Sequence, residues 1–420
     1  MRVIVTQIAA STHLYRMAPL AWALKTAGHE VVVAAPPDFL GAVERTGLSA
    51  VAVGRASRLA ERLAATPIET TVYGSGFDLA EDRPEILTYQ YVRGCLAAFA
   101  SSTGWDFPVD DSMYDDLVAF SRDWRPDLVL WDANTFAGPV AARASGAAHV
   151  RVTLGRDHWA RMRELYLDMR RDLRQNDDDP VEEWMSERLG RYGCEFTEDA
   201  VFGQRTVDWM PSWLRLPVRH EYLPVRHVPH NSPKAIAPWL SARRKQRPRA
   251  CVSMGYTMRE MFGGRMTFDP SMLFEAVHDL DLDVVALLDP IALPDAPKVP
   301  ANVRIAGYVP LGYLLDSCDA IIHHGGPGTT ADAIVKAVPQ ILVPDPLYDI
   351  HRIGPDVAAQ GLGFHLPAGD ASAALLRSAL KGLIGDPQYA ERAEAARREA
   401  LSAPTPNDLV GHLESLASMT

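Results

Sequence analysis

A glycine-rich turn in the second half of the chain has the residue types that bind phosphate. Residues 321–330 (IIHHGGPGTT) read as a short apolar strand, a tight turn and the start of a helix. Glycines let the backbone approach a ligand closely, and the N–H groups at a helix N-terminus attract anions. His324, Thr329 and Thr330 add imidazole and hydroxyl donors. The segment therefore predicts a diphosphate site, whereas a bare Gly-Gly-x-Gly would indicate only a turn.

Two residues in the first half have the types needed for acid–base chemistry. His13 follows the first apolar strand, and Asp132 follows the buried run 126–131. A neutral imidazole can take the proton of an alcohol, and a carboxylate on its second ring nitrogen would fix the tautomer. A structural or exposed His13 and an Asp132 that caps the helix opening near Asn134 are the alternatives.

Strand and helix signals alternate in both halves of the chain, which predicts an α/β fold with parallel sheets. Strands are expected at 2–8, 30–35, 126–131, 149–154, 249–254, 284–288, 303–307 and 340–344. Helices are expected at 17–27, 117–124, 135–144, 270–280, 372–384, 388–401 and 406–418. Ligands bind at the carboxyl ends of such strands, where His13 and Asp132 both fall.

Length and composition indicate a two-domain globular protein. The chain has 420 residues, 47% of them hydrophobic and 23% charged. A net charge of −11 argues against nucleic acid and anionic membranes as partners. Four dispersed cysteines without a CxxC pair argue against zinc and favour a reducing compartment. With neither a leader nor an apolar run of about 20 residues, the expected location is cytoplasmic.

Three segments outside this alternation have their own interpretations. Residues 157–193 predict one or two amphipathic helices split near 177–180, either a surface excursion or a lid or docking surface. The Pro-rich stretch 211–249 reads as a linker that ends in a solvated basic cluster. The Asp-x-Asp pattern at 279–283 reads as a solvated junction, so no metal is expected.

Three stretches resemble a known family. Residues 323–330 resemble the nucleotide-sugar signature of the GT-B glycosyltransferases of family 1. Residues 11–24 and 131–142 resemble the actinomycete branch that attaches deoxysugars to polyketide (macrolide) antibiotics. The resemblance covers nearly the whole chain and is weakest at 55–115 and 157–205. It implies a GT-B fold, in which two Rossmann-like domains face a central cleft and a C-terminal helix crosses back to the first domain.

The resemblance also implies domain limits and roles. It implies an acceptor-binding domain at 1–215, a linker at 216–248, a nucleotide-sugar-binding domain at 249–403 and the returning helix at 404–420. The catalytic residues would be His13, as general base, and Asp132. The donor would be bound by Ser253, Gly255, Val309, His324, Gly325, Gly326, Gly328, Thr329, Thr330, Asp349 and Ile350. The acceptor would contact Trp131, Phe136 and His158.

One position departs from the family pattern. Many family 1 members have Asp-Gln where this chain has Asp349-Ile350, and that pair hydrogen-bonds sugar hydroxyls. An unpaired hydroxyl beside an apolar side chain costs roughly 1–3 kcal/mol, so Ile350 favours a sugar that has lost hydroxyls. The alternative is that Ile350 is simply turned into the core.

The expected function is transfer of a deoxysugar, with an amino-substituted one as a variant, from a dTDP-sugar to a polyketide or macrolide acceptor. The reaction would be inverting and free of metal and other cofactors. The alternatives are a nucleotide-sugar epimerase and a non-catalytic auxiliary protein on the same fold. Further expected partners are a cytochrome-P450-like helper and a second copy of the chain. The aglycone, the exact sugar and O- or C-attachment stay open.

Overall fold

The computed structural model describes residues 1–71, 78–102, 104–173, 178–241, 247–255, 269–288, 299–344, 350–367 and 369–419. The chain forms two compact units, and each is built on a parallel β-sheet covered by helices. Unit 1 comprises Met1–Met210, Arg215–Arg226 and Pro404–Thr420, and unit 2 comprises Pro211–Leu214 and His227–Ala403. The predicted α/β class with two Rossmann-like sheets is confirmed.

Unit 1 contains a seven-stranded sheet in the order β3-β2-β1-β4-β5-β6-β7. Its strands are β1 Arg2–Thr6, β2 Glu30–Ala35, β3 Ser49–Ala52, β4 Leu128–Asp132, β5 Ala148–Val152, β6 Arg205–Asp208 and β7 Tyr222–Pro224. Every neighbouring pair is parallel. The strand order reverses between β1 and β4, and open parallel sheets bind ligands at such a switch point.

The helices of unit 1 cover both faces of this sheet. They are α1 Ser11–Thr26, α2 Leu40–Glu44, α3 Leu59–Ala65, α4 Tyr89–Phe99, α5 Asp111–Trp124, α6 Ala137–Ser145, α7 His158–Asp172, α8 Pro180–Gly190 and α9 Asp199–Phe202. Short 3₁₀ turns occupy Pro37–Phe39 and Ile68–Thr70, and a third at Ser212–Leu214 belongs to unit 2.

Unit 2 contains a six-stranded sheet with the same reversal, in the order β10-β9-β8-β11-β12-β13. Its strands are β8 Arg249–Ser253, β9 Asp283–Leu287, β10 Val303–Ala306, β11 Ala320–His323, β12 Gln340–Leu342 and β13 Gly363–His365. Its helices are α10 Pro238–Ser241, α11 Pro270–Val277, α12 Leu311–Leu315, α13 Pro327–Val335, α14 Ile350–Ala359, α15 Ala373–Gly385 and α16 Pro387–Ser402. Helix α17, Pro406–Ala417, belongs to unit 1.

The first helix begins earlier than the sequence predicts. The predicted helix 17–27 is Ser11–Thr26 in the structure, with Pro19 inside it. Its N-cap residue, Ala10, makes no side-chain capping bond, so no capping signal marks this start. His13, which follows the first strand as predicted, therefore lies in the first turn of α1.

The predicted linker 216–248 is divided in the structure. Its first part supplies β7, which pairs with β6 as an edge strand of the unit 1 sheet. The chain enters unit 2 at His227. At the other end, α17 packs against α1 through buried leucines, and His29 Nε2 lies 3.0 Å from Glu414 Oε1. No helix in the described ranges combines the length and apolar character needed to span a bilayer.

Residues 157–193 form the two helices α7 and α8 on either side of 174–177, which lie outside the described residues. Arg163 of α7 is only 1% exposed. It donates from Nη1 to Asp179 Oδ1 at 2.7 Å and from Nη2 to Glu198 Oε1 at 2.6 Å. The buried guanidinium thus ties α7 to the starts of α8 and α9.

We expect Arg163→Met to destabilise unit 1 by about 3–5 kcal/mol, because it removes the closest charge partner of the buried Asp179 carboxylate and leaves only Arg170, at 3.4 Å. The matched control is Arg171→Met on the same helix, where the exposed arginine pairs with Asp168 and should cost under about 1 kcal/mol. Urea unfolding followed by tryptophan fluorescence measures both. Equal effects of the two substitutions would contradict the role assigned to Arg163.

Candidate active site

The carboxyl edge of the unit 1 sheet brings together residues that lie far apart in sequence. Strands β1 and β4 are paired in register, with Thr6 opposite Trp131, so the next residues of both strands leave the sheet side by side. The N–H of Ile8 donates to Asp132 Oδ2 at 3.1 Å. This contact joins the turn after β1 to the last residue of β4.

His13 and Asp132 form a hydrogen-bonded pair at this edge. The Nδ1–H of His13 donates to Asp132 Oδ1 at 2.9 Å, with the His13 side chain 12% exposed and Asp132 fully buried. Because an ionised carboxylate only accepts, Nδ1 carries the proton in the neutral ring and the lone pair lies on Nε2. The arrangement can therefore receive a proton at Nε2 and stabilise the resulting imidazolium.

Asp132 is held as a carboxylate by several donors. It accepts hydrogen bonds from the Asn134 N–H at 3.0 Å and from the Thr135 hydroxyl. Burial alone raises the pKa of Asp132, but the charge and hydrogen bond of His13, together with the Thr135 and Asn134 donors, outweigh burial and lower it. The alternative that Asp132 caps the following helix is wrong, because the N-cap residue of α6 is Phe136 and no side chain caps it, although Asp132 binds the Asn134 N–H in the turn before α6.

The unit 2 sheet has an equivalent edge. Ser253 of β8 and His323 of β11 are paired in register, so the turn after Ser253 lies beside the glycine-rich turn. The His324 ring lies between two glycines. A Cβ built on Gly255 would lie 2.3 Å from His324 Cε1, and one on Gly326 would lie 2.4 Å from Nε2. Only residues without a side chain leave room for the imidazole in this position.

His323 fixes the conformation of the turn. Its Nδ1 accepts the Gly325 N–H at 3.1 Å, so its Nε2–H donates to Gln340 Oε1 at 2.9 Å. Burial, followed by the charge of His324, lowers the pKa of His323 to about 3. Burial also lowers the pKa of His324 to about 4, against an opposing effect of the Ser253 backbone. Both rings are therefore neutral at pH 7.

Helix α13 begins inside the predicted phosphate-binding sequence, at Pro327 rather than at Thr329. Its first turn has no side-chain cap, and Gly328 and Thr329 are partly exposed. Thr330 is fully buried, and its hydroxyl donates to the Gly326 carbonyl at 3.1 Å. The open first turn suits an anion, whereas the Thr330 hydroxyl is occupied within the helix.

The remaining predicted donor residues lie around this turn or outside the described residues. Val309 follows β10 and packs with the apolar cluster under α12. Ile350 begins α14 and is half-buried against Gly325, where a Cβ would lie 3.1 Å from Ile350 Cγ2. Asp349 lies outside the described residues, so the predicted Asp349–Ile350 pair is described only at Ile350.

The predicted acceptor contacts are buried. Trp131 is fully buried against Gly138 of α6, and Phe136 packs 4.3 Å from Trp105 between ring centroids. His158 begins α7 and is 1% exposed. Burial gives both large rings a packing role here, and acceptor contact by these three residues stays a prediction.

Several residues of the site were missed by sequence reasoning. Thr135 and the Ile8 N–H hold Asp132, and His227 holds Asp332 of α13 across 105 positions of sequence. Thr135 had a detectable signal, since Asp-x-x-Thr at a strand–helix junction is a capping pattern. His227 had none. In the described part of the chain, no three His, Cys, Asp or Glu side chains are grouped as metal ligands.

Solved glycosyltransferases share this architecture. Glycosyltransferase VinC, solved in complex with dTDP, matches with a TM-score of 0.90 at 38% identity, and the match covers 100% of each chain. Spinosyn forosaminyltransferase SpnP matches with a TM-score of 0.83 at 35% identity, covering 100% of this chain and 99% of SpnP. The two parallel sheets are thus those of the GT-B glycosyltransferase fold.

Family models and curated relatives identify the family. Residues 22–255 and 271–416 match the N-terminal and C-terminal domains described as erythromycin biosynthesis protein CIII-like. Aclacinomycin-T 2-deoxy-L-fucose transferase of Streptomyces galilaeus is 41% identical, with 100% of this chain and 96% of the relative covered. 10-deoxymethynolide desosaminyltransferase of Streptomyces venezuelae is 40% identical, with 100% of this chain and 97% of the relative covered. The chain belongs to the erythromycin biosynthesis protein CIII-like family of glycosyltransferases, which confirms the predicted resemblance.

The lowered pKa of His324 predicts a loss of stability in mild acid. As pH falls from 6.5 toward 4, the unfolded chain takes up a proton at His324 and the folded chain does not. This histidine should therefore cost roughly 2 kcal/mol of stability between pH 7 and pH 5. His324→Gln should reduce the pH dependence of the unfolding free energy by about that amount. An unchanged pH dependence in His324→Gln would contradict this prediction.

Proposed function

We propose that this chain is an inverting, metal-independent transferase that moves a deoxysugar from a dTDP-sugar to a hydroxyl of a polyketide acceptor. The observation that carries the proposal is the 2.9 Å hydrogen bond between His13 and Asp132 at the carboxyl edge of the unit 1 sheet. The solved complex of VinC with dTDP supports the nucleotide, and the names of the two relatives support the sugar and acceptor classes.

His13 acts as the general base. The acceptor oxygen attacks the anomeric carbon while its proton passes to His13 Nε2, and the bond from that carbon to the diphosphate oxygen breaks. Attack opposite the leaving group inverts the anomeric centre. The positive charge that forms on the imidazole is stabilised by the Asp132 carboxylate, and the Nδ1–H bond keeps the accepting nitrogen available.

The unit 2 edge stabilises the departing dTDP. Negative charge grows on the diphosphate as the glycosidic bond breaks. The N–H groups at the start of α13, the Thr329 hydroxyl and the neutral His324 ring provide donors and a positive dipole end. Because the His324 ring is neutral, it contributes one N–H donor and no charge, and the proposed stabilisation needs no metal ion.

The donor sugar is a deoxysugar, with an amino-substituted one as the variant to test. Ile350 lies half-buried against Gly325 and provides no hydrogen-bond partner for a sugar hydroxyl. The relatives are named for 2-deoxy-L-fucose and for the desosaminyl group. These names and the apolar side chain support the same class of donor.

The proposal has three further parts. They are a cytochrome-P450-like helper protein, a homodimer and a cytoplasmic location. The helper is tested by measuring turnover of the purified chain with and without such a protein. The homodimer is tested by measuring the mass of the chain in solution. The auxiliary-protein alternative is disfavoured because both His13 and His324 are present.

His13→Ala should lower kcat by roughly 100-fold or more, because it removes the base from the reacting hydroxyl. Asp132→Asn should also lower kcat, because an amide nitrogen facing Nδ1 favours the wrong tautomer. Turnover is measured with a panel of dTDP-deoxysugars and polyketide aglycones. Near-normal turnover of His13→Ala would remove His13 from the mechanism while leaving the family assignment intact.

The wild-type chain should bind dTDP more tightly than UDP in a calorimetric titration. The double variant His324→Ala/Thr329→Ala should lose most of this affinity, since it removes two donors beside the helix N-terminus. His278→Ala provides a control in unit 2, because His278 is exposed and precedes β9, at the opposite edge of the sheet. A preference for UDP would replace the nucleotide in the proposal, and binding of neither would contradict the donor site.

A further inference from the structure

A buried contact between a histidine and an aspartate lies behind the proposed diphosphate site. His227 Nε2 is 2.5 Å from Asp332 Oδ1, and the two side chains are only 7% and 10% exposed. His227 is the residue at which the chain enters unit 2, and Asp332 lies within α13. The mechanism proposed above uses neither residue.

Helical geometry places Asp332 on the same face of α13 as Gly328 and Thr329, two of the residues proposed to bind the diphosphate. Asp332 comes three residues after Thr329 and four after Gly328. Residues with these spacings are neighbours on one helix face, and the Cβ atoms of a pair such as Thr329 and Asp332 are about 5–6 Å apart. A carboxylate in that position repels a diphosphate bound at the first turn unless a donor neutralises or withdraws it.

The segment that begins at His227 also contacts the residues around Val309, which is the second place in unit 2 predicted to face the nucleotide. Asn231 Oδ1 accepts the Gly312 N–H at 3.3 Å, and Lys234 Nζ donates to the Tyr308 carbonyl at 2.7 Å. Gly312 and Tyr308, the partners in these two hydrogen bonds, lie on either side of Val309 in the sequence. His227 therefore anchors a segment of unit 2 that contacts α13 at one end and the residues around Val309 at the other.

We propose that His227 and Asp332 are positioning residues for the donor diphosphate. The His227 ring binds the Asp332 carboxylate, compensates its charge and holds it away from the anion at the first turn of α13. This inference rests on the proposed function, because it takes dTDP as the ligand. The inference requires that the negative charge of Asp332 be compensated before dTDP can bind. A contact that only joined the segment to the helix would not depend on that charge.

The test is a double-mutant cycle read by calorimetric titration with dTDP. In His227→Leu the buried carboxylate is left uncompensated, and the Kd for dTDP should rise by about 10-fold or more. Asp332→Asn alone should bind dTDP as tightly as wild type or more tightly. The double variant His227→Leu/Asp332→Asn has lost the link but also the charge, so its affinity should return to within about 3-fold of wild type.

The double-mutant cycle distinguishes the effect of the Asp332 charge from the effect of the contact between His227 and α13. If the pair only joined the segment to the helix, the double variant would bind dTDP as weakly as His227→Leu, and the inference would be overturned. Lys336→Met is the matched control, because Lys336 makes an ion pair with Asp316 at 2.8 Å at the far end of the same helix. It should leave dTDP affinity unchanged.

Folding of each variant is checked by circular dichroism and thermal unfolding before titration. If His227→Leu does not fold, His227→Asn, whose amide is too short to reach the carboxylate, takes its place in the cycle. A folded variant at position 227 with wild-type dTDP affinity overturns this inference and leaves the donor site intact. A wild-type chain that binds neither dTDP nor UDP overturns the donor site itself, and this inference with it.

Discussion

A buried carboxylate must be satisfied by donors, and that constraint organises the acid–base edge of unit 1. Asp132 is fully buried, so it needs charge-assisted hydrogen bonds to remain ionised. It obtains them from the first turn of α1, from the turn after β1 and from the start of the α6 segment. One side chain thereby sets the position of the imidazole, its tautomer and the path of two turns. A residue proposed for catalysis is also a structural centre of the sheet edge.

The edge of unit 2 is organised by close packing instead of charge. His324 fits between two turns because Gly255 and Gly326 have no side chains, and burial keeps its ring neutral. His323, one residue earlier, uses both ring nitrogens to hold the turn. Two adjacent histidines thus have different tasks. One shapes the glycine-rich turn, and the other is positioned among the groups proposed to stabilise dTDP.

The same strand order explains why the two edges are comparable. In each sheet the order reverses beside the first strand of the unit, and the turns that follow the two central strands leave side by side. Open parallel sheets bind ligands at this position. Units 1 and 2 place different chemistry there: an imidazole with its carboxylate in one, and a neutral imidazole with an uncapped helix start in the other.

The sequence by itself determined the class of the fold, the family and the identity of the main candidate residues. Apolar periodicity and glycine turns are local signals, and His13, Asp132 and residues 323–330 could be recognised from their neighbours. The start of α1 was predicted too late, because its N-cap residue, Ala10, makes no side-chain capping bond that would mark it. Only the tertiary structure decided which groups meet. The contacts of His13 with Asp132 and of His227 with Asp332 join residues more than 100 positions apart, and no local pattern encodes such a pairing.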